Sequence, residues 1–226
     1  MNRMFYICAQ CLNFKILKMK RILLFGMIGT ATALSAFVPS TDAGKTIKTP
    51  AAQTAIWTAD KAHTSVKFSV AHLVISDVDG NFKSFDGSME SSKPDFSDAK
   101  ITFTADVNSI NTDNEMRDNH LKSDDFLNAA KYPQMKFVST SFTPQGDNKY
   151  KLVGNLAIRD VTKSVTFDVK YGGTVVAMGG THAGFKATTK IDRFDYNLKW
   201  SKATEAGGLV AGKEVEITIN ADFKKS

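Results

Sequence analysis

Between Asn108 and Phe137 the chain gathers side chains that donate, accept or exchange protons: Arg117, Asp118, His120, Asp124 and Asp125 stand close together. An arginine and a histidine on one helical face can hydrogen-bond a polar headgroup. Histidine beside aspartate is also the pairing of general acid–base work, so a hydrolase using His63, His72 or His120 with a nearby Asp is the rival reading. The spacings which that chemistry requires are missing, since there is no Gly-x-Ser-x-Gly and no His-Glu-x-x-His. A metal site built from His63, His72 and His120 is a weaker form of the same idea, because scattered histidines are most often hydrogen-bonded structural groups. No catalytic residue, metal ligand or cofactor is assigned.

The segment that carries these residues reads as a helix inside β structure. Asn111-Thr112-Asp113-Asn114 offers capping oxygens, and Glu115 places negative charge in the first turn, where the helix dipole favours it. The helical period sets Arg117, His120, Leu121 and Asp124 along one face, with Asp113–Arg117 and Asp118–Lys122 as i,i+4 pairs of opposite sign. Tyr132-Pro133 then stops the helix and leads into a strand.

Around it, alternation with period two predicts half-buried strands. Val66/Phe68/Val70, Ile101/Phe103/Ala105/Val107, Leu152/Gly154/Leu156/Ile158, Val165/Phe167/Val169/Tyr171 and Val215/Ile217/Ile219 each fall on one face. Weaker strands are expected over Asn81–Glu90, Gln134–Phe142 and Thr181–Asp192, bounded by turn signals at Asp79-Gly80, Gln145-Gly146-Asp147-Asn148 and Gly179-Gly180. About eight strands with no second helical layer favour an all-β closed barrel over a sandwich, because closure buries the apolar faces and removes exposed edges. Most of the 16 phenylalanines fall at apolar strand positions. A barrel of that size is either filled by side chains or leaves room for one small ligand, and Gly87, Ala105, Gly154 and Ala187 suit a cavity as well as a bend in the wall.

The N-terminus reads as a leader. Lys20-Arg21 precedes the apolar run Ile22–Leu34, too short to anchor in a bilayer and followed by small residues suited to cleavage. Residues 1–43 are therefore expected to be an extension and signal peptide, with translation starting at Met19, and 44–54 a flexible lead-in to a domain over 55–226. Export to the periplasm follows. Both cysteines, Cys8 and Cys11, lie in the removable stretch, so the exported domain has neither disulfide nor thiolate. Residues 1–43 hold five Lys or Arg and one acidic residue, which leaves a formal +2 on the remainder with the signs interspersed. That balance gives no reason to expect nucleic acid as a partner.

Ordered blocks across the whole domain carry a resemblance. Trp57-Thr58-Ala59-Asp60-Lys61-Ala62-His63-Thr64-Ser65-Val66-Lys67-Phe68, Gly80 to Gly87, Ser109 to Thr112, Arg117 to Phe126, Lys131-Tyr132-Pro133, Gly154 to Arg159 and Ile191 through Trp200 resemble the YceI-like, polyisoprenoid-binding family. Asp160, Ser164 and Tyr196-Asn197 depart from its pattern, although Asn is the next most tolerant residue after the usual Gly at positive φ. The resemblance implies a lipocalin-like antiparallel barrel with a short capping helix. It also implies a binding protein, often a homodimer, that holds an isoprenoid, an isoprenoid quinone or a similar lipid for storage, transport or stress protection. Phe68, Val70, Phe103, Phe137, Phe167 and Phe185 are then the wall candidates, and Arg117 and His120 the headgroup candidates. A protruding tail needs a dimer partner or a membrane surface to cover it, and a membrane redox partner is a further expectation.

Overall fold

Strands with one apolar face must bury it, and this chain does so by closing its sheet on itself. The structure, a computed structural model, describes residues 53–205 and 207–226. The expected leader, its two cysteines and nearly all of the 44–54 lead-in lie outside the described residues.

The strands are β1 (Ala55–Ala59), β2 (Ser65–His72), β3 (Ser76–Phe82), β4 (Phe85–Ser91), β5 (Lys100–Asp106), β6 (Ile110–Asn111), β7 (Gln134–Gly146), β8 (Lys149–Ile158), β9 (Val161–Ala177), β10 (Gly180–Asp192) and β11 (Ala211–Lys225). One helix, α1 (Glu115–Lys122), interrupts them between β6 and β7. All strand pairings are antiparallel. β1 and β2 behave as one broken strand against β4 and β3, and β5 with β6 as another. The rest form an up-and-down meander, and the result is an eight-stranded closed barrel. β11 closes it by pairing with β2 through Ile217↔Phe68 and with β1 through Trp57↔Lys225.

A meander sends successive connections to alternate ends. The near end receives the Leu73–Ile75 turn, α1 with the loop after it, the Arg159-Asp160 turn and the long 193–210 connection. The far end receives the 92–99 loop and the turns at Asp147-Asn148 and Met178-Gly179. There Phe96, only 3% exposed, plugs the barrel, with ring centroids 5.4 Å from Trp57, 5.6 Å from Tyr171 and 5.4 Å from Phe185. Tyr150 donates its hydroxyl to the Asp95 carbonyl at 2.8 Å, and the Asp98 carboxylate gathers the Ser91 hydroxyl (2.6 Å) and the Ser92 (2.9 Å) and Lys93 (3.2 Å) amides.

Two expectations change. The strand expected over Asn81–Glu90 is two, split at Lys83-Ser84, where the Ser84 amide turns to the Ser109 hydroxyl at 3.0 Å. The turn expected at Asp79-Gly80 does not exist, because both residues lie inside β3. Gly80 faces Phe68 across the ladder, and a Cβ there would stand 2.2 Å from the Phe68 ring. Gly87 makes the same room for Phe103 and Gly154 for Phe137, so these three glycines are seats for aromatic rings.

Two outcomes follow for stability. Gly80→Ala is expected to cost about 1–3 kcal/mol by overpacking, and the double variant with Phe68→Leu less than the sum of the two singles, as urea titration measures. The hydrogen bonds to Asp98, those from Ser91 and Ser92 foremost, hold its carboxyl far below the ordinary 3.8. Its contribution is therefore complete above the ordinary carboxylate range and lost as pH falls through and below it. Asp98→Asn is expected to flatten the acid limb of Tm against pH below about pH 4.

Candidate functional site

Helix α1 starts where Asn114, at φ −145°, accepts the Arg117 amide at 3.0 Å. The residues expected to pair along it do something else. Asp118 is buried and accepts the Thr112 amide at 2.9 Å and the Thr112 hydroxyl at 2.6 Å. Arg117 donates Nε to the Thr112 hydroxyl and Nη2 to the Thr112 carbonyl, both at 2.8 Å. The expected Asp113–Arg117 and Asp118–Lys122 ion pairs thus give way to a bracket around Thr112, because a buried carboxylate needs donors fixed beside it. His120 stands edge-on to Phe126 (5.0 Å) and Trp200 (5.5 Å), with Nε2 2.9 Å from an Asp125 oxygen.

Beneath the helix the barrel holds a cavity of about 330 Å³. Phe68, Val70, Phe103, Phe137 and Phe167 line it, and Arg117 and His120 line it at the near end. Asp124 follows the helix and is not in its wall. Phe185, the sixth wall candidate, is elsewhere: it packs on Phe96, Tyr171 and Phe142 in the far-end plug and borders only a second void of about 50 Å³. Strand alternation assigns Phe185 correctly to the interior, but its height along the barrel depends on register, which places it opposite Tyr171 and Ala221. The far end is thus filled with rings and the near end is hollow.

Two arginines that the sequence reading did not single out hold the near end together. Arg193, 3% exposed, donates Nε to Gly212 O (2.8 Å), Nη1 to Leu198 O (2.6 Å) and Trp200 O (2.7 Å), and Nη2 to Ala211 O (3.1 Å). Burial lowers its pKa. It ties the 193–210 connection to the start of β11 and itself lines the cavity. Arg159 donates Nη1 to Phe126 O (2.9 Å) and Asn197 O (3.3 Å), joining the loop after α1 to that same connection. Their acceptors are backbone carbonyls, so no side-chain pattern announces them.

The three histidines considered for catalysis or metal binding do not meet. His72 and His120 line the cavity, whereas His63 sits after β1 with Nδ1 2.8 Å from Asp60. The Asp60 carboxylate raises the His63 pKa, and the same hydrogen bond lowers that of Asp60. Asp60 also approaches His182 and Asp222, which share a 2.9 Å contact. The Asp60 amide donates to Asp222 O at 2.7 Å and the Asp222 amide to the Thr64 hydroxyl at 3.0 Å. This polar group fastens the break between β1 and β2 onto β11.

Arg193→Met is expected to lower the unfolding free energy by at least about 2 kcal/mol, since buried carbonyls deprived of a donor cost about 1–3 kcal/mol each. Arg193→Lys recovers only part of it, because an ammonium cannot reach so many acceptors at once. Denaturation followed through tryptophan fluorescence measures both.

The comparisons with known proteins agree with this geometry. A UPF0312 protein of Staphylococcus aureus (strain MSSA476) is 39% identical over 172 residues, covering 75% of this chain and 98% of the relative. Among solved structures, a Campylobacter jejuni YceI protein matches with a TM-score of 0.60 at 33% identity, covering 74% of this chain and 96% of that one. Burkholderia cenocepacia BcnA matches with a TM-score of 0.63 at 25% identity, over 73% and 98%. A polyisoprenoid binding domain from Saccharophagus degradans shares the fold with a TM-score of 0.56 at 14% identity, over 75% and 98%. The model of the YceI-like domain matches residues 57–223, and the chain belongs to that family.

Proposed function

We propose that this protein is an exported lipid carrier whose near-end cavity holds the hydrocarbon part of an isoprenoid, an isoprenoid quinone or a similar amphiphile. One observation carries the reading: a ring-walled cavity of about 330 Å³ with Arg117 and His120 at its near end. Pockets for small ligands start at about 300 Å³ and are mostly apolar with a few placed polar groups. Each methylene buried there contributes about 0.8 kcal/mol, so a prenyl tail is retained with few polar contacts. Arg117 and His120 contact the headgroup in this reading, and Phe68, Val70, Phe103, Phe137 and Phe167 the tail. The Saccharophagus degradans domain, described as polyisoprenoid binding, has the same fold.

The reading is one of binding rather than catalysis. Storage, transport or stress protection in the periplasm is the role it supports, with the apolar leader as the ground for export. A homodimer partner or a membrane redox partner is the natural recipient of the lipid or cover for its exposed end.

Native mass spectrometry with lipid extraction, on protein purified from its own host, tests this directly. A stoichiometric prenyl lipid is the expected result, and a reproducibly empty barrel rejects it. Val70→Trp, which fills the cavity, is expected to abolish retention, while His120→Ala weakens it about tenfold or more, the worth of a hydrogen bond to a charged or strongly polar group. Circular dichroism checks that both variants fold.

A further inference from the structure

The turn between β2 and β3 exposes three consecutive apolar residues: Leu73 (40%), Val74 (74%) and Ile75 (85%). Leu73 and Val74 hold φ of 53° and 67°, the left-handed region that Asn, Asp and Gly tolerate and a β-branched residue disfavours. Of the far-end turns, the one between β9 and β10 sets Met178 at 48° ahead of Gly179 at 72°, and the one between β7 and β8 uses two polar residues. There, the same region is occupied by Asp147 and Asn148, at 48° and 58°. The β2–β3 turn thus sets two consecutive exposed apolar residues in that region, and Val74 is the one β-branched residue at positive φ among the described residues.

Its position gives the reason. Ala71 and His72, just before the turn, line the cavity, and so does Val210, whose carbonyl accepts the Leu73 amide at 3.0 Å. The tip therefore stands at the rim of the hollow end. Met116, 84% exposed, sits on α1 at the same end. Exposed charges on the segments that meet the tip have both signs, with Asp77 on β3 and Lys202 and Glu205 in the connection whose Gly208 and Val210 stand against Val74 and Leu73. Such a rim suits an uncharged hydrocarbon layer better than a polyanion.

We propose that Leu73, Val74 and Ile75 insert into a lipid bilayer and set the cavity mouth on the membrane, so that a prenyl lipid passes between bilayer and barrel without crossing water. This rests on the lipid-carrier reading and adds the partner surface to it. The exposed apolar residues of the far end, Val175, Val176 and Met178, line neither cavity and provide the internal control.

The test uses protein purified from its own host and equimolar phosphatidylcholine–phosphatidylethanolamine vesicles doped with a long-chain isoprenoid quinone. Wild type is expected to co-sediment with the vesicles equally at low and high salt and to move quinone between vesicle populations. L73N/V74N/I75S relieves the turn and keeps Tm the same or higher. It is expected to lose vesicle binding and transfer rate by at least about tenfold while retaining lipid by native mass spectrometry. V175S/V176S/M178S behaves as wild type. The proposal is overturned if wild type does not sediment with vesicles, if the tip variant binds and transfers normally, or if the far-end variant loses as much. Vesicle binding by a protein that never retains lipid leaves the tip in place and rejects the carrier reading instead.

Discussion

Closure of the sheet by β11 is the constraint on which everything else depends. A closed barrel of eight strands has a fixed interior, and whatever side chains do not fill remains a cavity. β11 pairs with β1 and β2 on either side of the break between them, and the Asp60, His63, His182 and Asp222 group secures that break. The same closure leaves two ends that cannot be satisfied by ladder hydrogen bonds. Their fillings differ in kind.

At the far end the chain spends aromatic rings. Phe96 comes from a loop rather than a strand, and the Asp98 carboxylate shapes that loop by accepting from neighbouring serines and amides. At the near end it spends cations. Arg117, Arg159 and Arg193 each donate to backbone carbonyls, holding a helix, a loop and a long connection over the opening. Rings exclude space, whereas arginines span it, and the larger cavity lies at the end closed by spanning groups.

Much of this was readable from residues. The helix start at Asn114 followed from capping chemistry, and Asn197 takes a positive φ of 60°, as its tolerance suggested. Five of the six wall candidates, four of them phenylalanines, line the cavity because period two assigns a face reliably. Gly80 was misread as a turn: Asp-Gly is a strong local signal, but the ring of Phe68 needed the space, and that demand comes from another strand. Arg193 lies in a block that carries the family resemblance, but its role as a tie gave no signal, since carbonyl acceptors are common to every residue.

The sequence by itself determined most of the elements, which face of each strand is inward, and that a capped polar helix interrupts the sheet, because these follow from periodicities and caps acting over a few residues. Tertiary structure alone decided the height of each ring along the barrel, hence Phe185 in the plug and Phe137 in the cavity wall, and which arginines serve as ties. Those outcomes depend on strand register and closure, which link residues more than a hundred positions apart, as Thr64 and Asp222 are joined, and no local pattern encodes them.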